Sequence, residues 1–187
     1  MHPAVFLDKD GTLIENVPYN VDPALVCLAP FAAAALCALR FAGYRLVIVS
    51  NQSGVARGFF REAEIEPVKR RIDELLGALA KPDAFYYCPH HPDGSPGVYA
   101  VDCPCRKPRP GMLLEAARAM DLNLSRSWLI GDILDDIEAA HAAGCRALLI
   151  DNGNETEWRI TDRRWPDRFA RDLMEAANLI LKEGAHE

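Results

Sequence analysis

Short apolar runs alternate with longer helical segments along most of this 187-residue chain, and that alternation restricts the fold more than any other feature. Ala4 to Leu7, Arg45 to Val49, Ala84 to Tyr87, Trp128 to Ile130 and Ala147 to Ile150 read as strands. Most are continuous apolar stretches without a polar face, the pattern of strands buried on both sides. The segments between them read as helices over Pro30 to Ala42, Glu62 to Ala80, Met112 to Met120 and Asp135 to Ala143, with a closing helix over Arg168 to Lys182. Pro30 near a start and Gly43 after an end match helix punctuation. Helices between strands make parallel pairing the simplest connection, with helices on both faces of the sheet. The expectation is an α/β chain with a mostly parallel sheet, in one domain spanning residues 1–187.

The interior this requires is available, since half the residues are hydrophobic and 26% are charged. The net charge of −6 argues against nucleic acid as partner, because phosphate backbones are held by basic surfaces. The run Lys69, Arg70, Arg71 lies in a charged helical stretch and reads as a solvated face. No cationic start with a long apolar signal core is seen. The apolar stretch Ala29 to Leu39 is too short for a bilayer. A soluble, cytoplasmic protein without membrane contact is expected.

Strand ends carry the chemistry in open parallel sheets. Here they carry Asp8, then Ser50, then Asp132. Asp8 and Asp10 lie in Asp8-Lys9-Asp10-Gly11-Thr12, where Gly11 permits a sharp turn that aims both carboxylates at one pocket. Clustered carboxylates repel one another, and a hard divalent cation relieves that repulsion, with Mg²⁺ suited to oxygen ligands and open water positions. Lys107 and Arg106 add positive charge for an anionic substrate. Taken singly, Asp-x-Asp is also turn chemistry and Gly-Asp a helix cap.

Together, Asp8-Lys9-Asp10-Gly11-Thr12, Ser50-Asn51, Lys107 and Gly131-Asp132 with Asp135 and Asp136 resemble the four-motif signature of the haloacid dehalogenase-type phosphatases. The resemblance implies a Rossmann-like sheet and a two-step reaction. Asp8 would attack phosphorus and become an aspartyl phosphate; Asp10 would act as acid and then as base. Mg²⁺ would be held by Asp8, the backbone carbonyl of Asp10, and Asp132. Ser50 and Lys107 would hold phosphoryl oxygens. Asp136 is either a brace behind these groups or an ordinary helix residue. No large cap domain fits between the motifs, so short loops must shape the pocket.

The segment Cys88 to Pro110 holds six prolines and three of the chain's six cysteines. Cys88-Pro89-His90 and Cys103-Pro104-Cys105 form two clips whose four side chains suit tetrahedral Zn²⁺ in a structural site. Cys88, His90, Cys103 and Cys105 are the expected ligands, making a zinc-stapled loop; His91 competes with His90, which the alternation of side chains favours. A disulfide or free thiols are the competing readings. Cys27, Cys37 and Cys145 read as small buried hydrophobes.

Within the family, such a loop resembles the heptose bisphosphate phosphatases and the histidinol-phosphate phosphatases. Asn51-Gln52-Ser53-Gly54-Val55-Ala56-Arg57-Gly58 and Cys105-Arg106-Lys107-Pro108 are closer to the heptose group. That resemblance implies a small phosphorylated sugar as substrate; a monomer is expected as the working unit. Arg106 would recognise the substrate, and Tyr19, Asn51, Gln52 and Ser53 would line the sugar pocket. The chain departs from the heptose pattern at Ile133, where that group has lysine. The segment holding Trp158, Arg159, Arg163, Arg164 and Trp165 is read as packing back over the domain, with binding of a substrate phosphate or a partner as the competing reading. Two other classes remain open: a receiver-type phosphoacceptor, which would need no acid two residues after the acceptor, and a zinc-stapled binding module.

Overall fold

A computed structural model describes residues 1–95 and 97–184. The strands are β1 (Ala4–Leu7), β2 (Arg45–Asn51), β3 (Ala84–Cys88), β4 (Trp128–Gly131), β5 (Arg146–Ile150) and β6 (Arg168–Ala170). The helices are α1 (Ala32–Phe41), α2 (Ile65–Ala80), α3 (Gly111–Met120), α4 (Leu134–Ala143) and α5 (Leu173–Gly184). All strands join one sheet in the order β3-β2-β1-β4-β5-β6, and every pairing is parallel. This is the doubly wound α/β arrangement that the alternation predicts.

Successive side chains of a strand point to opposite faces, and both faces are covered. Val5 and Leu7 pack with Leu36, Ile72 and Ile180 under α1, α2 and α5. Ala4 and Phe6 pack with Leu113 and Ile137 under α3 and α4. Burial of each large apolar side chain contributes about 1.5–3 kcal/mol, so the unbroken apolar runs anchor the sheet from both sides.

The closing helix starts later than its composition suggests. Arg168–Ala170 forms the sixth strand instead, with Leu148, Leu149 and Ile150 opposite Arg168, Phe169 and Ala170. A three-residue edge strand has too few positions to show a period, and the neighbouring helix masks it. Cys145 is buried and Cys37 half-buried, but Cys27 is exposed, contrary to its reading as a core residue. It lies in a connecting segment where its carbonyl accepts from Glu15 N at 3.0 Å. Lys69 and Arg71 pair with Glu66 and Glu74 along α2, as a solvated face does. The Trp/Arg segment packs back only in part: Arg164 is held by Asp135 at 3.0 Å and Glu138 at 3.5 Å, whereas Trp158 and Trp165 are exposed. Among the described residues, no helix is long and apolar enough to cross a membrane.

Candidate active site

The strand order reverses at β1, whose neighbours are β2 and β4. Connections leave this point in opposite directions and open a crevice at the carboxyl edge of the sheet. Asp8 follows β1, Ser50 lies at the end of β2 and Asp132 follows β4. Since all strands are parallel, these residues share one edge. Lys107 reaches the same place from the long connection between β3 and α3.

Lys107 is the buried cation that meets Asp8 and Asp136. Its Nζ lies 2.5 Å from Asp8 Oδ1 and 2.6 Å from Asp136 Oδ1, and donates to the carbonyl of Val49 at 2.9 Å. Asn51 fixes its backbone: Asn51 Oδ1 accepts from Lys107 N at 3.0 Å, and Asn51 Nδ2 donates to Lys107 O at 3.1 Å. The side-chain amide predicted to face a sugar is thus engaged in holding the lysine. Asp136 is fully buried and is a brace, not an ordinary helix residue.

Ligand atoms of Asp8, Asp132 and Asp136 all lie within 4.8 Å of one another. Asp132 Oδ2 accepts from Asn154 Nδ2 at 2.7 Å and Oδ1 from Thr12 Oγ1 at 3.4 Å. Two glycines permit this crowding. Gly11 has φ +88°, and a Cβ there would stand 2.1 Å from Asp132 Oδ2; a Cβ on Gly131 would stand 2.3 Å from that of Asp136.

Asp10 sits apart from the three clustered carboxylates. Lys9 Nζ contacts its Oδ1 at 2.5 Å, while Gln52 Nε2 donates to Asp10 Oδ2 at 3.2 Å and to Ser50 Oγ at 2.8 Å. Gln52 therefore ties the second carboxylate to the hydroxyl at the end of β2. Lys9, Asp10, Tyr19, Asn51, Gln52 and Ser53 line a cavity of about 110 Å³. Tyr19, with φ +55°, meets Phe59 edge to face at 4.6 Å; both rings are exposed and form a lip beside this cavity.

Electrostatics explain what the cluster needs. Burial raises the Asp8 carboxyl well above its ordinary range; Lys107 opposes this, and Asp136, Asp132 and Asp10 add to it. Burial and Asp136 push Asp132 up to about 6, against the Asn154 hydrogen bond and Lys107. One lysine does not neutralise three packed carboxylates. The oxygen-only donors and their repulsion fit a hard divalent cation such as Mg²⁺.

A second donor set lies at the end of β3. Ligand atoms of Cys88, His90 and Cys103 come within 4.8 Å of one another, with Cys88 Sγ 3.7 Å from His90 Nδ1. Cys105 stands outside this threesome, but its N–H donates to Cys103 Sγ at 3.4 Å. Burial raises its thiol to about 11, and the Cys103 side chain adds to the effect. His91 turns to Arg57, with Nε2 and Nη2 3.2 Å apart, and accepts from Asp93 N through Nδ1 at 3.0 Å. Sulfur and imidazole donors this close suit a tetrahedral soft-metal site.

Several residues at the site carry no readable sequence signal. Asn152, Asn154 and Glu155 reach it across separations of 141, 22 and 21 residues. Glu62 accepts from Tyr87 and Tyr99 at 3.1 and 2.5 Å and ties the cysteine loop to the start of α2. Arg106 Nη1 is buried without a hydrogen-bond partner among the described residues.

Known proteins resemble this chain in sequence and fold. The HAD-hydrolase-like family model matches residues 104–176. A D-glycero-beta-D-manno-heptose-1,7-bisphosphate 7-phosphatase of Rhodopseudomonas palustris is 43% identical over 143 residues, covering 76% of this chain and 79% of that protein. The enzyme of that name from Escherichia coli K12 is 41% identical over 142 residues, covering 75% and 74%. The crystal structure of D,D-heptose 1,7-bisphosphate phosphatase from B. bronchiseptica, complexed with magnesium and phosphate, superposes with a TM-score of 0.80. It is 33% identical, with 97% of this chain and 99% of that one covered. Parallel sheet, aspartates at the strand ends and these relatives agree: the chain belongs to the haloacid dehalogenase-like hydrolases and is a phosphatase.

Proposed function

We propose that this phosphatase removes the 7-phosphate of D-glycero-D-manno-heptose 1,7-bisphosphate through an aspartyl phosphate on Asp8. The carrying observation is the buried Asp8, Asp132 and Asp136 cluster bridged by Lys107 at the sheet's reversal point. Mg²⁺ would be held by Asp8, the backbone carbonyl of Asp10, and Asp132, where it would offset the carboxylate charge and polarise the phosphoryl group. An Asp8 carboxylate oxygen attacks phosphorus and the bond to the sugar oxygen breaks. Asp10, in its acid form, gives that oxygen its proton. Asp10 then takes a proton from the water that attacks phosphorus, releasing inorganic phosphate and restoring the Asp8 carboxylate. Ser50 and Lys107 hold phosphoryl oxygens, and Gln52 keeps Asp10 beside Ser50.

The cavity beside Asp10 is bordered by Tyr19, which stands edge to face against Phe59, so the sugar lies against that lip. Arg106 supports a second anionic group on the substrate. Its guanidinium is desolvated and shares the area with Arg57, and its buried Nη1 has no hydrogen-bond partner among the described residues. Ile133 supplies no cation there, which leaves Arg106 and Arg57 to meet the second phosphate. Cys88, His90, Cys103 and Cys105 would hold a structural Zn²⁺ that keeps the long loop folded. The working unit is a single-domain monomer in the cytoplasm.

The test is catalytic phosphate release with Mg²⁺ from both anomers of the heptose bisphosphate, histidinol phosphate and sugar monophosphates. The expected result is multiple turnovers with preference for one heptose anomer, abolished in Asp8→Asn. A preference for histidinol phosphate would reassign the substrate, and stoichiometric phosphorylation without turnover would favour a phosphoacceptor.

A further inference from the structure

After β5 the chain crosses the edge of the sheet, and three of four consecutive side chains attach to three different parts of the site. Asn152 Nδ2 donates to the carbonyl of Gly11 at 2.7 Å. Asn154 Nδ2 donates to Asp132 Oδ2 at 2.7 Å. Glu155 Oε2 accepts from Leu134 N, the first N–H of α4, at 2.7 Å. These anchors are the turn after Asp8, the carboxylate after β4, and the helix that carries Asp136. The segment also fixes itself: Asn152 Oδ1 accepts from Asn154 N at 3.2 Å, and Glu155 Oε1 from Glu157 N at 2.7 Å. Asn152 is therefore oriented from both ends of its amide.

We infer that Asn152 to Glu155 form a positioning bracket for the divalent-cation site, with Asn154 as the residue that orients Asp132. This rests on the Mg²⁺ reading above. Asp132 sits at the end of a short strand, and its carboxylate can rotate about the Cβ–Cγ bond. Donors on both oxygens, Asn154 on Oδ2 and Thr12 on Oδ1, restrict that rotation. Repulsion from Asp8 and Asp136 would otherwise turn the carboxylate away before a cation arrives. Asn154 also holds it without neutralising it. A lysine or arginine there would compete with the cation for the same charge, whereas a neutral amide orients the ligand and leaves it anionic. The contact needs room, which Gly11 provides: its absent Cβ would stand 2.5 Å from Asn154 Nδ2. Asn152, bonded to the carbonyl of that same glycine, keeps the turn and the bracket in register.

The test is isothermal titration of the full chain with MgCl₂ alone, for wild type, Asn154→Ala, Asn154→Gln and Asp132→Asn, together with thermal unfolding with and without Mg²⁺. Wild type is expected to bind, Asp132→Asn to lose binding, and Asn154→Ala to bind about 10–100-fold more weakly. The unfolding midpoint of Asn154→Ala without Mg²⁺ should fall slightly, because the buried Asp132 carboxylate loses a donor, and the rise on adding Mg²⁺ should be smaller than in wild type. Asn154→Gln, which keeps the donor, should recover part of the affinity. Wild-type affinity in Asn154→Ala, with binding lost in Asp132→Asn, would overturn the bracket and leave the cation site standing. An equal fall in midpoint with and without Mg²⁺ would also overturn it, as a purely structural role. Failure of wild type to bind Mg²⁺ would overturn the cation reading itself.

Discussion

Asp132→Asn should make the protein more stable while removing a cation ligand. The Asp132 carboxyl stands at about 6 against an ordinary 3.8, raised first by burial and then by Asp136. The folded state therefore holds a proton that the unfolded chain has released between these two values. Stability drawn from this group is present below pH 4 and lost as pH rises through 6. At about 1.4 kcal/mol per pKa unit, ionising Asp132 in the fold at pH 7 costs about 3 kcal/mol relative to the unfolded chain. Relaxation and water entry reduce this, so about 1–3 kcal/mol is the expected gain from asparagine, which stays neutral and still accepts from Asn154. Urea unfolding in buffer without Mg²⁺ and without chelator, at pH 4.5 and pH 7, measures it. The variant should exceed wild type at pH 7, and most of the difference should vanish at pH 4.5. Added Mg²⁺ should stabilise wild type alone. A variant less stable than wild type at pH 7 without Mg²⁺ would refute the reasoning, because Asp132 would then be a net stabilising charge.

Lys107→Met removes the only cation paired with Asp8 and Asp136 among the described residues. It should destabilise the fold by about 3–5 kcal/mol at pH 7, and less at pH 5, where the Asp8 carboxyl, raised by burial, takes up a proton; equilibrium unfolding at both values checks this. Elemental analysis of protein prepared without chelator should find about one zinc per chain, lost in Cys88→Ser, as a closed four-ligand site requires. Arg106→Ala should raise KM for the heptose bisphosphate at least tenfold, since a charge-assisted contact contributes about 1.5–3 kcal/mol, and barely change KM for a sugar monophosphate.

The architecture was legible in the sequence because a strand buried on both faces reads as an apolar run, as in β1, β4 and the middles of β2 and β5; β6 carries no such run. Asp8, Ser50 and Asp132 were legible for a related reason. Polar residues directly after such runs stand at the carboxyl edge of a parallel sheet, wherever the strands fall in the order. The clips Cys88-Pro89-His90 and Cys103-Pro104-Cys105 were visible because donors two residues apart lie close in any extended conformation. Local chain geometry was enough in each case. Other features depend on which distant segments meet. Asn51 lies beside the substrate loop, yet its amide holds the backbone of Lys107, 56 residues away. Asp136 became a brace only when Lys107 arrived between it and Asp8. Asn154 is an ordinary loop residue until β5 pairs with β4 and carries it over the end of the neighbouring strand. Hydrogen bonds across such separations leave no period or spacing in the chain. The sequence determined which chemistry gathers at the sheet edge, and the tertiary structure decided which neutral side chains hold those charges in place.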